Sequence, residues 1–205
     1  HALAAAPGGI DDLQLAVEVV RALIEGGADV HARSKGGFSG LLFASQQGDV
    51  DSARILLAAG ADVNEASPEN GTPLVVAAAS GREEISLFLL ENGANPNAAD
   101  AFGLTALHYA LPQGIGGIDS VSVVYRPFEL VSPNMPKLVK ALLSHGANPN
   151  MQVVKDFSPY SRSPYARITS FVGLTPFLLA AAAADLDLMR VLLAASADPK
   201  LTLKD

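Results

Sequence analysis

Behind the pair Thr72-Pro73, apolar residues Leu74, Ala77 and Ala78 recur at helical spacing. After Gly81 a second apolar stripe follows, formed by Ile85, Leu89 and Leu90. Thr72 offers a hydroxyl N-cap, and Pro73 takes the first helical position, where its missing N–H has no intrahelical bond to lose. Glu83 and Glu84 put negative charge in the first turn of the second helix. Gly93 is placed to end it in the left-handed conformation that glycine adopts cheaply. The pattern predicts a short helix, a turn, a second helix, a glycine stop and an extended linker. Small residues in the first helix allow close approach of neighbours. One such pair cannot bury its own apolar stripe, whereas a stacked row can.

The unit repeats. A Gly-Ala-(Asp/Asn) tripeptide occurs at Gly27, Gly60, Gly93 and Gly146, with a degenerate copy at Ser196-Ala197-Asp198. The first three copies lie 33 residues apart. A second marker runs Ser39-Gly40-Leu41, Thr72-Pro73-Leu74, Thr105-Ala106-Leu107 and Thr175-Pro176-Phe177, again with 33 residues between its first copies. At these residues the chain resembles the ankyrin repeat family, whose unit carries a Thr-Pro-Leu-His-x-Ala signature and a Gly-Ala-Asp after its second helix. Only His108 keeps the signature histidine, where Leu42, Val75 and Leu178 stand in the other copies. The resemblance implies an all-α solenoid of stacked helix-turn-helix units, linkers projecting as fingers beside a concave palm, and a role in binding other proteins. It also implies that the His108 ring helps hold neighbouring repeats together.

The register breaks in one repeat. Thr105 and Thr175 are 70 residues apart, 37 more than the period. Two insertions account for the excess: residues 112–133 between the two helices, and residues 151–172 in the linker that follows. The division expected is a truncated first repeat to about residue 36, then 37–69, 70–102, 103–172 with both insertions, and 173–205. Pro136 opens the delayed second helix, with Asn134 as its expected cap. Met151–Val154 and Ile168–Val172 have strand propensity, so the second insertion reads as an extended β-hairpin-like finger.

Insertions of this size carry function more often than they serve as filler. The second holds Phe157, Tyr160, Arg162, Tyr165 and Arg167, and the first holds Tyr125, Arg126 and Phe128. Aromatic residues and arginine are enriched at the energetic centres of protein interfaces, which makes these eight the candidate partner contacts. The competing reading is that they pack the insertions onto their own array. A further row, Phe43, Val76, Tyr109 and Leu179, occupies equivalent positions and would align along the palm, unless it is buried against the linkers.

Composition narrows the function. Hydrophobic residues at 49% and charged residues at 17% describe a folded chain. The net charge of −7 argues against a phosphate-backbone binder, so no nucleic-acid partner is expected. There is no cysteine for thiol catalysis or a zinc ribbon. The longest apolar run, Phe177 to Ala184, is far too short to span a bilayer. His1, His31, His108 and His145 do not cluster, and His145 suits a helix C-terminus. Asp185-Leu186-Asp187 lacks the remainder of a calcium loop and reads as a helix cap. Gly114 to Asp119 falls short of a dinucleotide fingerprint. No cofactor, metal site or catalytic residue is expected.

At the start, His1–Ala6 reads as the tail of a first helix, Pro7-Gly8-Gly9 as its break, and Asp11 or Asp12 as the cap of a helix running to Glu25. The expectation is a portion of a longer array that binds a protein partner. The alternative is a structural or regulatory part of a larger enzyme or redox assembly, as one subunit of a complex. The alanine-rich repeats with long linkers resemble bacterial ankyrin proteins, some of them exported, which tilts the expected compartment toward the periplasm over the cytoplasm.

Overall fold

In the computed structural model, which describes residues 12–111, 135–156 and 170–204, helical segments follow one another in pairs. Helix α1 (Asp12–Glu25) precedes α2 (Gly40–Gln47) and α3 (Val50–Ala58), while the helix tail expected at His1–Ala6 lies outside the described residues. Next come α4 (Pro73–Ala79) with α5 (Glu83–Glu91), and α6 (Ala106–Tyr109) with α7 (Pro136–Ser144). The last pair is α8 (Pro176–Ala182) and α9 (Leu186–Ala194). First helices stack on first helices, α2 on α4, α4 on α6 and α6 on α8. Second helices stack likewise, α1 on α3, α3 on α5 and α5 on α7. The core runs along this row through Leu41, Leu74, Leu107 and Leu179 and through Ile85, Leu89, Leu138 and Leu142.

The stops fall at the glycines. Gly60, Gly93 and Gly146 follow their second helices with φ of 100°, 88° and 86°. In the last pair Ser196 holds that position at φ 69°, and Ala184 holds the interhelical turn at φ 54°, where the earlier repeats have Gly48 and Gly81. Asp185 caps α9 by accepting from Leu188 N at 3.0 Å, as its spacing implied.

Two expected caps are corrected. Thr72 stands at the N-cap of α4 by its backbone, but its hydroxyl is buried without a partner. At α7 the N-cap is Met135, with no side-chain cap bond of its own. Glu83, from the neighbouring repeat, instead accepts the Leu138 N–H at 3.3 Å, because the stack brings its carboxylate to the open end of α7. Asn134 lies outside the described residues.

The hairpin-like finger is also not supported. Among the described residues there is no strand; the linkers carry isolated bridges, Arg33 with Ser39, Ser67 with Gly71, and Ala99 with Thr105. Met151–Val154 is irregular, and the amides of Val154 and Lys155 donate to Phe102 O in the neighbouring linker, at 2.9 and 3.3 Å. Val172 O accepts from Lys204 N on the other side. Among the described residues the backbones of the two arms pair at Val153, with Leu174 O and Gly173 N, and form no longer ladder; residues 157–169 of the expected finger lie outside the described residues.

Candidate functional site: the insertion bases and the linker row

Both insertions leave and rejoin the stack at closed points. The first does so where Met135 N donates to Ala110 O at 3.2 Å, between two buried residues. At the second, Val153 N donates to Leu174 O at 3.0 Å and Gly173 N donates to Val153 O at 2.8 Å. This second base is bracketed by linkers on both sides. Lys155 Nζ sits 5.6 Å from the Phe102 ring centroid, adding a cation–π contact to the backbone bonds at Phe102. Lys204 N closes onto Val172 O at 2.8 Å.

Two glycines permit this crowding. A Cβ on Gly103 (φ 87°) would lie 3.0 Å from Val154 N, and one on Gly173 (φ 89°) would lie 2.8 Å from Thr202 O. Each needs both the left-handed backbone and the missing side chain.

His108 ties α6 to the same base. The residue is 2% exposed. Its Nδ1 accepts from Thr105 N at 3.1 Å and lies 2.9 Å from Thr105 Oγ1. Since Nδ1 accepts a backbone N–H, the proton of the neutral ring belongs on Nε2, which faces Leu174 O at 3.4 Å. Burial pushes the pKa down to about 4, against smaller upward pulls from the backbone at Leu174 and Met151. The expected inter-repeat role of this ring is therefore met by a named bond across 66 residues.

The row of equivalent positions does not form a uniform exposed stripe. Phe43 is 48% exposed, packs its ring 5.2 Å from that of Phe38, and borders an open cleft of about 390 Å³ between α1 and the α2–α3 pair. Val76 is 6% exposed and Leu179 is 0% exposed, so both belong to the interior. Tyr109 is half-buried and donates to Asp100 Oδ2 at 2.6 Å. Its burial, then the Asp100 hydrogen bond and charge, push its pKa up. Asp100 Oδ1 in turn accepts from Phe102 N and Leu104 N, at 2.9 and 3.0 Å. Tyr109 therefore secures the third linker instead of presenting a free hydroxyl.

Phe157, Tyr160, Arg162, Tyr165, Arg167, Tyr125, Arg126 and Phe128 all lie outside the described residues.

Two arrangements went unread in the sequence. In the first, Arg33 spans the first two linkers: its guanidinium donates to Gly37 O and Ala66 O, each at 3.0 Å, and lies 3.5 Å from Glu65. Glu65 is 7% exposed and also accepts from the Ser39 hydroxyl. The second is a ladder of asparagines. Asn64, Asn97 and Asn150 donate to the backbone oxygens of Gly93, Gly146 and Ser196, and accept from the amides of Asn95, Asn148 and Asp198. A signal existed, an asparagine four residues after each of Gly60, Gly93 and Gly146; His31 and Lys200 hold the place in the first and last linkers.

Among the described residues no group of three or more histidine, cysteine, aspartate or glutamate side chains is placed to hold a metal ion. No helix there is long and apolar enough to cross a membrane.

A family model described as "Ankyrin repeats (3 copies)" matches residues 13–100 and 41–125. One described as "Ankyrin repeat" matches residues 102–153. No curated protein matches the chain.

Proposed function

Because the chain belongs to the ankyrin repeat family, whose repeats are in general protein–protein interaction modules, we propose that it is a non-catalytic module that captures a protein partner through its second insertion and the adjoining concave face. The observation that carries the proposal is the double bracketing of that insertion's base. Phe102 holds its entry and Lys204 its exit, while Val153 joins the two. A segment held at both ends by the stack loses less conformational freedom on binding than a free tail of the same length, and this favours affinity.

The contacts we assign to the partner are Phe157, Tyr160, Arg162, Tyr165 and Arg167, with Tyr125, Arg126 and Phe128 of the first insertion as a second group. Lys155, Arg162 and Arg167 against Asp156 give the second insertion a local positive balance within a chain of net charge −7. That balance suits a partner surface of acidic character. On the palm, Phe43 is the residue of the equivalent row with apolar area to offer, since Val76 and Leu179 are spent on the core.

The test is a chain with Tyr160, Arg162, Tyr165 and Arg167 replaced together by alanine. Partner capture should be abolished, with helical circular dichroism and thermal unfolding nearly unchanged. Retained capture would remove the second insertion from the site, and a collapsed fold would assign these side chains to packing.

A further inference from the structure

The third residue after each first-helix cap is Leu42, Val75, His108 or Leu178, so a titratable group stands in one junction of the four. That junction is where α6 meets the base of the second insertion and α8. The groups bonded to the ring are uncharged, the backbone and hydroxyl of Thr105 and the backbone of Leu174 and Met151. The helices stacked on α6 from either side, α4 and α8, contain no charged residue. The third linker contributes Asp100, which is engaged with Tyr109 and two backbone amides. The insertion base contributes Lys155, lying over Phe102, and Asp156. Lys137 and Lys140 come from α7.

The geometry points to an acid-operated latch: neutral His108 holds Leu174 and the insertion base against α6, and proton uptake by its ring opens this junction ahead of the rest of the stack. The chemistry lies at Nδ1. While that nitrogen is bare it accepts the Thr105 N–H; once protonated it would set one donor against another, in a buried site whose bonds to the ring supply no counter-charge.

The closed junction keeps the pKa at about 4, whereas an opened one returns the ring to water and to its ordinary value near 6.5. The open form therefore binds a proton that the closed form refuses. Its population rises by about tenfold for each pH unit lost between 6.5 and 4, and is independent of this ring outside that window. The latch does not depend on what the insertion binds.

Native-state hydrogen exchange on the whole chain tests it, followed by NMR from pH 7.5 to 4 and expressed as protection factors corrected for intrinsic exchange. The amides of Val153 and Gly173 report the latch, and that of Leu89 in α5 reports the stack. His108→Leu removes the titration with a residue the fold already accepts at Leu42 and Leu178, and His108→Gln provides a second non-titrating variant. Below pH 6.5, protection at Val153 and Gly173 should fall more steeply in the wild type than in either variant, by about tenfold per pH unit. Leu89 should stay more protected than either latch amide across the series. Equal slopes in wild type and variants would overturn the proposal, and so would protection at Val153 and Gly173 no lower than at Leu89, which would mean that the whole array opens together.

Discussion

The side-chain oxygen of Asn97 accepts the backbone N–H of Asn148 at 2.7 Å, across 51 residues that include the whole first insertion. Its Nδ2 donates to Gly146 O at 2.9 Å in the same step. The interrupted repeat is thereby held against its predecessor by the same pair of bonds that Asn64 makes to Gly93 and Asn95. The ladder lets the chain digress and return without losing the register of its linkers.

Replacing Asn97 with alanine removes both bonds and strands a carbonyl and an amide at a half-exposed site. The expected loss of stability is about 1–2 kcal/mol. A urea titration reads it as a lower midpoint, with Asn64→Ala giving a loss of similar size. An unchanged midpoint in both variants would mean that water replaces the ladder without cost.

Glu65 and Arg33 should respond unequally. The Arg33 side chain is 39% exposed, so its ion pair is screened and contributes modestly, while the Glu65 side chain is 5% exposed and also serves the Ser39 hydroxyl. Glu65→Ala is expected to cost about 1–3 kcal/mol, by leaving Ser39 without its buried acceptor. Arg33→Ala should cost less. Thermal unfolding of the two variants decides the order, and a larger effect at Arg33 would contradict it.

Thr72 and Thr105 occupy equivalent caps with different surroundings. The Thr105 hydroxyl meets His108, whereas Val75 stands three residues after Thr72, whose hydroxyl is buried without a partner. Thr72→Val should therefore be neutral or stabilising by up to about 1 kcal/mol, and Thr105→Val destabilising by about 1 kcal/mol. Loss of stability in both, measured by denaturant titration, would show that Thr72 has a role unrelated to its hydrogen-bonding surroundings.

In the last repeat, Ala184 and Ser196 sit at φ 54° and 69°, where earlier repeats have glycines. Glycine at either position relieves the Cβ strain and should add about 0.5–1 kcal/mol. The double variant Ala184→Gly/Ser196→Gly should raise the melting temperature by roughly the sum of the single changes, because the two sites share no hydrogen bond. A fall in melting temperature would assign these side chains a packing role.

How much could be read in the chain alone follows from the range of the interactions involved. Gly60, Gly93 and Gly146 end their helices where the Gly-Ala-(Asp/Asn) marker put them, and Asp185 caps α9, because a stop or a cap is decided within a few residues. The stacked helical fold was likewise readable, since two markers keep one 33-residue spacing. Other features wait on the neighbouring repeat. Thr72 has a capping residue's identity yet no side-chain bond, and Glu83 serves a helix that begins 53 residues later at Pro136. Val76 and Leu179 share a position with the exposed Phe43 but are closed over by the stack. The bonds from Phe102 and Lys204 that bracket the second insertion are set by how closely one linker lies on the next. Sequence determined each unit and its repetition, which are short-range matters of backbone preference and apolar spacing. Tertiary structure decided which side chains remained available and what held the insertions, because both depend on distances between repeats that no single unit contains.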